Sequence, residues 1–466
     1  MDVNARTISV RSRSPYPSAP KLSKPMPNED SMSVEMAEIG EVKSAKEEDA
    51  EGSNTGSIEP TLPPGRINHY KANIQFAAMC LCLFLAGWND GTTGPLLPRI
   101  QKVYNVGFAL VSLIFVFNCV GFVVAAAANV ALTDKFGFGI VMVIGSVAQV
   151  IGYALEAPAP PFPVFVMGYA VNGFGLALQD AGANGYVASL AHNSATRMGI
   201  LHAVYGVGAL SSPLVSTQFS QLPRWSLHYL VSLGIALANT VFLIAVIRFR
   251  TQDECLADIG QAPADHSALS NSEDSKYKQI FRLRPLHLLA FFILVYVGVE
   301  VTIGGWIVTF IINVREGGPS SGYISSGFFG GLTLGRVALL WLNKLIGERR
   351  VIFLYMLLAI ALELVVWLVP SLIGGAVAVS FVGMFLGPIY PIVMNHSGRI
   401  LPPWLLTGCI GWIAGFGQAG SAFFPLLAGL LASREGIKSL QPLLVSMMCF
   451  MFCLWALVPS TPRRFE

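Results

Sequence analysis

Six ionisable side chains stand inside stretches otherwise apolar enough to sit in lipid: Asp90, Asp180, His202, Glu300, Arg336 and Glu363. Two of them share a setting. Asp90 is followed by Thr92 and Gly94, and Glu300 by Thr302 and Gly304, so each acid has a threonine two residues on and a glycine four residues on. An ionisable group at membrane depth is costly unless it faces a cavity or a partner, which makes each a site candidate. A carboxyl facing a cavity can take up and release a proton as its access to water changes, the physical requirement for proton coupling. Asp180, Asp90 and Glu300 are the candidates for that role, with Arg336 as ion-pair partner; the structural alternative is a static buried pair. Glu363 reads as structural and His202 as a satisfied core histidine. Trp88, Asn89, Gln179, Asn184, Tyr205, Trp306, Tyr390, Asn395 and Gln418 are the candidates for hydrogen-bonding and stacking on a polar ligand, with Asn172 and Trp412 of the same chemical kind. Each of these alone is more often a packing residue.

The elements that must position these groups follow from composition. Of the 466 residues 53% are hydrophobic and 12% charged, and the mean hydropathy is +0.60, outside the range of ordinary soluble domains. Apolar runs of about twenty residues recur, each long enough to cross a bilayer as a helix. They number about twelve, at approximately 71-95, 107-132, 138-157, 162-190, 199-221, 226-248, 285-313, 322-346, 350-369, 371-396, 402-432 and 438-459. A β-barrel would show short alternating segments instead. The expectation is an all-α membrane protein in two six-helix halves: a disordered cytosolic tail over 1-66, an N-terminal half over 67-250, a cytosolic linker over 251-284, a C-terminal half over 285-460, and a short cytosolic tail over 461-466. Basic residues near helix ends put both termini and the linker in the cytosol, and the plasma membrane is the favoured location. On that orientation Asn395, His396 and Ser397 form a glycosylation sequon in an inward-facing loop.

Other classes drop out. A net charge of +3 without basic-aromatic blocks gives no nucleic-acid surface. The seven cysteines lack metal-ligand spacing, and no metal or cofactor is expected. No phosphate-binding loop of an ATP-driven pump appears, and nothing points to an enzyme. Partners are the bilayer, a small solute and protons, with the chain working as a monomer.

Corresponding helices of two halves invite comparison, since many carriers are built from repeats with the solute site between them. Beyond the Asp90 and Glu300 settings, Gly206, Gly208 and Pro213 on the fifth helix are echoed by Gly415, Gly417 and Pro425 on the eleventh. This layout resembles the major facilitator superfamily, whose loop between helices two and three is matched by Asp134, Lys135 and Gly137 in "ALTDKFGFG", with Val130 and Phe138 as departures. The resemblance implies a gating role for those three residues. "YVGVEVTIGGWIVTFI" (296-311) is similar to the seventh helix of the fucose-galactose-glucose proton symporter branch, and "LALQDAGANGY" (176-186) to its fourth, with "WNDGTTGPLLP" (88-98) matching its first. The branch resemblance implies a twelve-helix secondary transporter moving a hexose-like solute with protons, and favours Asp180 over Asp90 as the proton carrier. Gly199, Gly208, Ser212, Pro213 and Ser216 are similar to the antiporter signature of drug-efflux members, which makes proton-driven efflux of a secondary metabolite the alternative. A non-transporting sensor or scaffold is the reading from a different class.

Overall fold

The computed structural model describes residues 68–261, 279–402 and 405–459. The expected tails at 1-66 and 461-466 and residues 262–278 of the expected linker lie outside the described residues. Eleven helices are long and apolar enough to cross a membrane, and a twelfth crossing is made by a bent pair. In chain order they are α1 (His69–Tyr104), α2 (Phe108–Phe136), α3 (Phe138–Glu156), α4 (Phe162–Ala188), α5 (Ser194–Ser220), α6 (Trp225–Ile247), α7 (Arg284–Val314), α8 (Pro319–Ala338 with Leu340–Ile346), α9 (Glu348–Leu368), α10 (Leu372–Ile400), α11 (Gly408–Glu435) and α12 (Ile437–Leu457). No strand occurs among the described residues, as expected where only helices satisfy their own backbone in lipid. The fold is the all-α arrangement of two six-helix halves.

Three boundaries depart from the sequence reading. α1 does not stop near residue 95 but runs through Pro95 and Pro98 to Tyr104, where Asn105 takes a left-handed conformation (φ 52°) and ends it. Proline inside a membrane helix is tolerated where neighbouring groups take over the freed carbonyls. α8 is bent by 53° about Leu339. Asn395, His396 and Ser397 sit inside the last turns of α10, not in a loop, because the helix resumes at Ile389 after Pro388 and holds to Ile400.

Glycines set how closely the helices approach. A Cβ on Gly208 of α5 would stand 2.1 Å from the Phe84 carbonyl oxygen of α1, and one on Gly420 of α11 would stand 2.0 Å from the Leu294 carbonyl oxygen of α7. Phe84 lies six residues before Asp90, and Leu294 six before Glu300. The repeat seen around the two acids therefore extends to the packing of their helices: small residues let backbones touch where no hydrophobic force separates helix from lipid.

The halves interlock from the middle of the membrane to the end of the molecule away from the linker, here the far side. Gly94 of α1 meets Gly304 of α7; Gly206 and Thr217 of α5 meet Thr333 and Gly322 of α8; Ser112 of α2 meets Gly429 of α11. Gln218 bonds Tyr323, Gln221 Nε2 donates to the Pro319 carbonyl (3.2 Å), and the Ala109 amide donates to Ser433 Oγ (2.9 Å). On the linker side of the Gly94–Gly304 contact, Asp90 of α1 stays exposed.

A short linker helix, Gln252–Asp258, begins at a capping box made by Thr251 and Glu254 and buries Cys255, Leu256 and Ile259 against the N-terminal half. Burial pushes the Cys255 thiol up to about 11. Asp258 binds Lys71 Nζ at 2.6 Å and Arg250 at 3.1 Å, and the Lys71 hydrogen bond, ahead of Arg250, holds its carboxyl below the usual range. Because the folded value is depressed, the stabilisation is present above the ordinary value of about 3.9 and is lost as pH falls through the lower folded value. Lys71 is half exposed, so Asp258→Asn is expected to cost only about 0.5–1 kcal/mol. Maleimide labelling of Cys255, read site by site by mass spectrometry, should rise roughly two- to fivefold; unchanged labelling would show that the pair does not hold the linker helix down.

Candidate functional site

The three spans whose apolar windows are most buried are α1, α4 and α7 (56%, 61% and 67%). They carry Asp90, Asp180 and Glu300. Each acid nevertheless turns to the opening between the halves: Asp90 is exposed there, and Asp180 and Glu300 are half-buried.

A chain of polar contacts crosses that opening. Tyr205 of α5 donates its hydroxyl to Asp90 Oδ2 at 2.6 Å. The Arg336 guanidinium of α8 lies 5.9 Å from the centre of the same tyrosine ring, within cation–π range. Arg336 also faces Glu300 Oε1 at 4.0 Å, both side chains less than a fifth exposed. Asp90 and Tyr205 belong to the N-terminal half, Arg336 and Glu300 to the C-terminal half, so the ring joins them. On the other wall Asn184 donates to Asp180 Oδ1 at 3.0 Å from one turn further along α4. Tyr390 of α10 is within electrostatic reach of Asp180, Glu300 and Arg336, and its ring lies 6.2 Å from that of Tyr296. Three carboxyls thus face one guanidinium. One cation compensates one anion, and the surplus acids must bind protons or draw in water and solute.

The other sequence candidates are placed elsewhere. Trp88 is 4% exposed, donates to Ser232 Oγ at 2.9 Å and stacks on His228 inside the N-terminal half. Asn89 accepts from Asn172 Nδ2 at 2.7 Å. Gln179 accepts from Gln149 (2.8 Å) and Asn239 (3.1 Å). Successive residues of a helix point about 100° apart, so of Trp88, Asn89 and Asp90 only Asp90 meets the cavity. Trp306 is fully buried, donates to the Pro425 carbonyl at 3.1 Å and packs on Phe108 across the halves. Asn395 donates to Glu348 Oε1 at 2.6 Å, beside the Arg399–Glu348 pair, near the linker-side ends of α9 and α10. Gln418 is half-buried on α11, close to Ser421. Asp134 is exposed, Lys135 lies over Phe136, and Gly137 takes a φ of 83° that favours glycine at the start of α3.

Sequence reasoning missed two residues. Tyr296, one turn before Glu300, donates to the Leu386 carbonyl at 3.1 Å behind the Glu300–Arg336 pair; the four-residue spacing was the available signal. Glu156, fully buried at the end of α3, adjoins the proline-rich loop "APAPPFP" and so looks like a loop residue.

Comparison with known proteins agrees with this architecture. The chain is 26% identical over 459 residues, 91% of its length and 92% of the relative's, to "Bypass of stop codon protein 6" of Saccharomyces cerevisiae. It is 24% identical over 396 residues to a glucose/galactose transporter of Brucella abortus, covering 78% of this chain and 90% of that one. The crystal structure of a D-xylose-proton symporter superposes with a TM-score of 0.70 at 12% identity, covering 84% of this chain and 98% of that one. The Major Facilitator Superfamily profile matches residues 79–335, more than half of the sequence. A twelve-crossing fold in two repeated halves and this match together establish that the chain is a transporter belonging to the Major Facilitator Superfamily.

Proposed function

We propose that this transporter moves a hexose or similar polyhydroxy solute together with protons, by rocking its two halves about the cavity between them. The observation that carries the reading is the line Asp90, Tyr205, Arg336, Glu300, which joins the halves through one aromatic ring and leaves carboxyls in excess of cations. A neutral polyol needs donors and acceptors in pairs beside aromatic faces; Asp180, Asn184, Tyr205, Tyr390 and Gln418 are suited to provide them. The glucose/galactose transporter of Brucella abortus supports the solute class, and the D-xylose-proton symporter is the fold neighbour whose cargo and coupling ion are of the same kind. Asp180 carries the exchanged proton, with Asp90 and Glu300 as companions, Asp134, Lys135 and Gly137 gate the linker side, and the linker side faces the cytosol of the plasma membrane.

Purified carrier in liposomes, given a panel of sugars with and without an imposed pH gradient, tests this. Asp180→Asn is expected to abolish accumulation against a gradient while sparing solute exchange, since only the driven step needs the proton. Accumulation by Asp180→Asn equal to wild type would remove the coupling role. Sugar efflux driven by inward proton flow would favour export.

A further inference from the structure

Two buried acids take no part in the cavity, and they occupy matching places. α3 and α9, the third helices of their halves, each start at a glycine with positive φ, Gly137 (83°) and Gly347 (90°). Each carries one glutamate toward its far-side end, Glu156 and Glu363. Both are 0% exposed; neither oxygen of Glu156 has a hydrogen-bond partner, whereas Glu363 faces the Gln441 side chain of α12. No ion pair to either is found among the described residues.

Glu156 is the better defined of the two. It is the last residue of α3, so its carboxyl stands at the negative end of the helix dipole, where an anion is disfavoured. It fills a niche left by Gly168 of α4: a Cβ there would come within 2.8 Å of Glu156 Cγ and 3.1 Å of Oε1. The titratable groups facing it are phenols, Tyr153 of its own helix, Tyr169 of α4, Tyr104 of α1 and Tyr229 of α6. Tyr169 and Tyr229 bond each other at 3.0 Å. One turn along α4 from Gly168, the buried Oδ1 of Asn172 is an acceptor without a donor, while its Nδ2 donates to Asn89, the neighbour of Asp90. A carboxylate in this shell would be a buried charge with no cation to compensate it; a carboxylic acid carries no charge and can both donate and accept.

We propose that Glu156 is a proton-binding site of the N-terminal half, separate from the central cavity, whose bound proton allows α3 to pack on α4 at the far side. The chemistry is one step: the carboxylate takes a proton from a hydronium ion of far-side water, one O–H bond breaking on the hydronium as one forms on the carboxyl, and a water molecule is left. When the proton leaves, the charge requires water. Water reaches it only if α3 parts from α4 at the contact of Gly152 with Gly168 and Asn172, where a Cβ on Gly152 would stand 3.0 Å from both. The site therefore couples far-side helix packing to far-side pH, and it stands whether or not Asp180 carries the transported proton.

Infrared spectra of the full-length carrier in liposomes at neutral pH test the assignment. Glu156→Gln, which keeps the shape of the neutral acid, is expected to lose a neutral-carboxyl carbonyl stretch present in the wild type, and Asp180→Asn is expected to retain that band. Loss of a carboxylate stretch in its place would overturn the proposal. Gly168→Ala keeps Glu156 but presses on its Cγ, and is expected to shift the same band; an unmoved band would place the acid elsewhere and equally overturn the assignment. Transport by Asp180→Asn is scored separately, so failure of the coupling reading and failure of this one give different results.

Discussion

Gly94→Ala is expected to spring the far-side seal open. A Cβ at residue 94 would stand 2.1 Å from the Gly304 carbonyl oxygen and 3.3 Å from its carbon, and backbone atoms cannot swing aside as a side-chain tip can. Overpacking of this kind costs about 1–3 kcal/mol. The strain exists only while α1 and α7 touch, so it loads the state described here and spares one in which the far side is open. A shift of about 2 kcal/mol moves a two-state population roughly thirtyfold. Spin labels at Leu222, in the far-side loop after α5, and at Ser320, in the first turn of α8, both exposed, should report a longer distance in the variant. Gly304→Ala is the internal comparison: its Cβ would meet the end of the Phe329 ring at 2.8 Å, which can turn, so its effect should be the smaller. Equal distances in Gly94→Ala and wild type would refute the idea that this contact holds the seal.

Arg336→Met is expected to abolish solute binding and to destabilise the C-terminal half, because it leaves Glu300 without its cation. Breaking a buried pair from one side costs about 3–5 kcal/mol, mostly as the penalty of the stranded charge. The pair is only partly buried, 19% and 13% exposed, which places the loss toward the lower end. Adding Glu300→Gln removes the stranded charge, so the double variant should melt above Arg336→Met while remaining unable to bind solute. That split, stability recovered without binding, is what distinguishes a site pair from a structural one. If Glu300→Gln with Arg336→Met binds solute as the wild type does, the line through Tyr205 is not the binding site.

Much of this was legible in the linear text. Apolar runs of bilayer length dictated helices, since no other open structure satisfies its backbone in lipid. The matching settings of Asp90 and Glu300 disclosed two repeated halves, and the price of intramembrane charge marked the acids and Arg336 as site candidates. Those signals are local, carried by composition and spacing along one helix.

What the tertiary structure alone decided is direction and pairing. Trp88, Asn89 and Asp90 are neighbours in sequence, yet the first two turn into the N-terminal half and only the third reaches the cavity. Gly94 and Gly304, which looked like spacers of a repeat, are the place where the halves meet. Tyr205 gained its role only when folding brought α5 and α8 together, placing Asp90 under its hydroxyl and Arg336 over its ring. Rotation about a helix axis and contact between distant helices are set by packing across the whole bundle, and a single chain read in order carries neither.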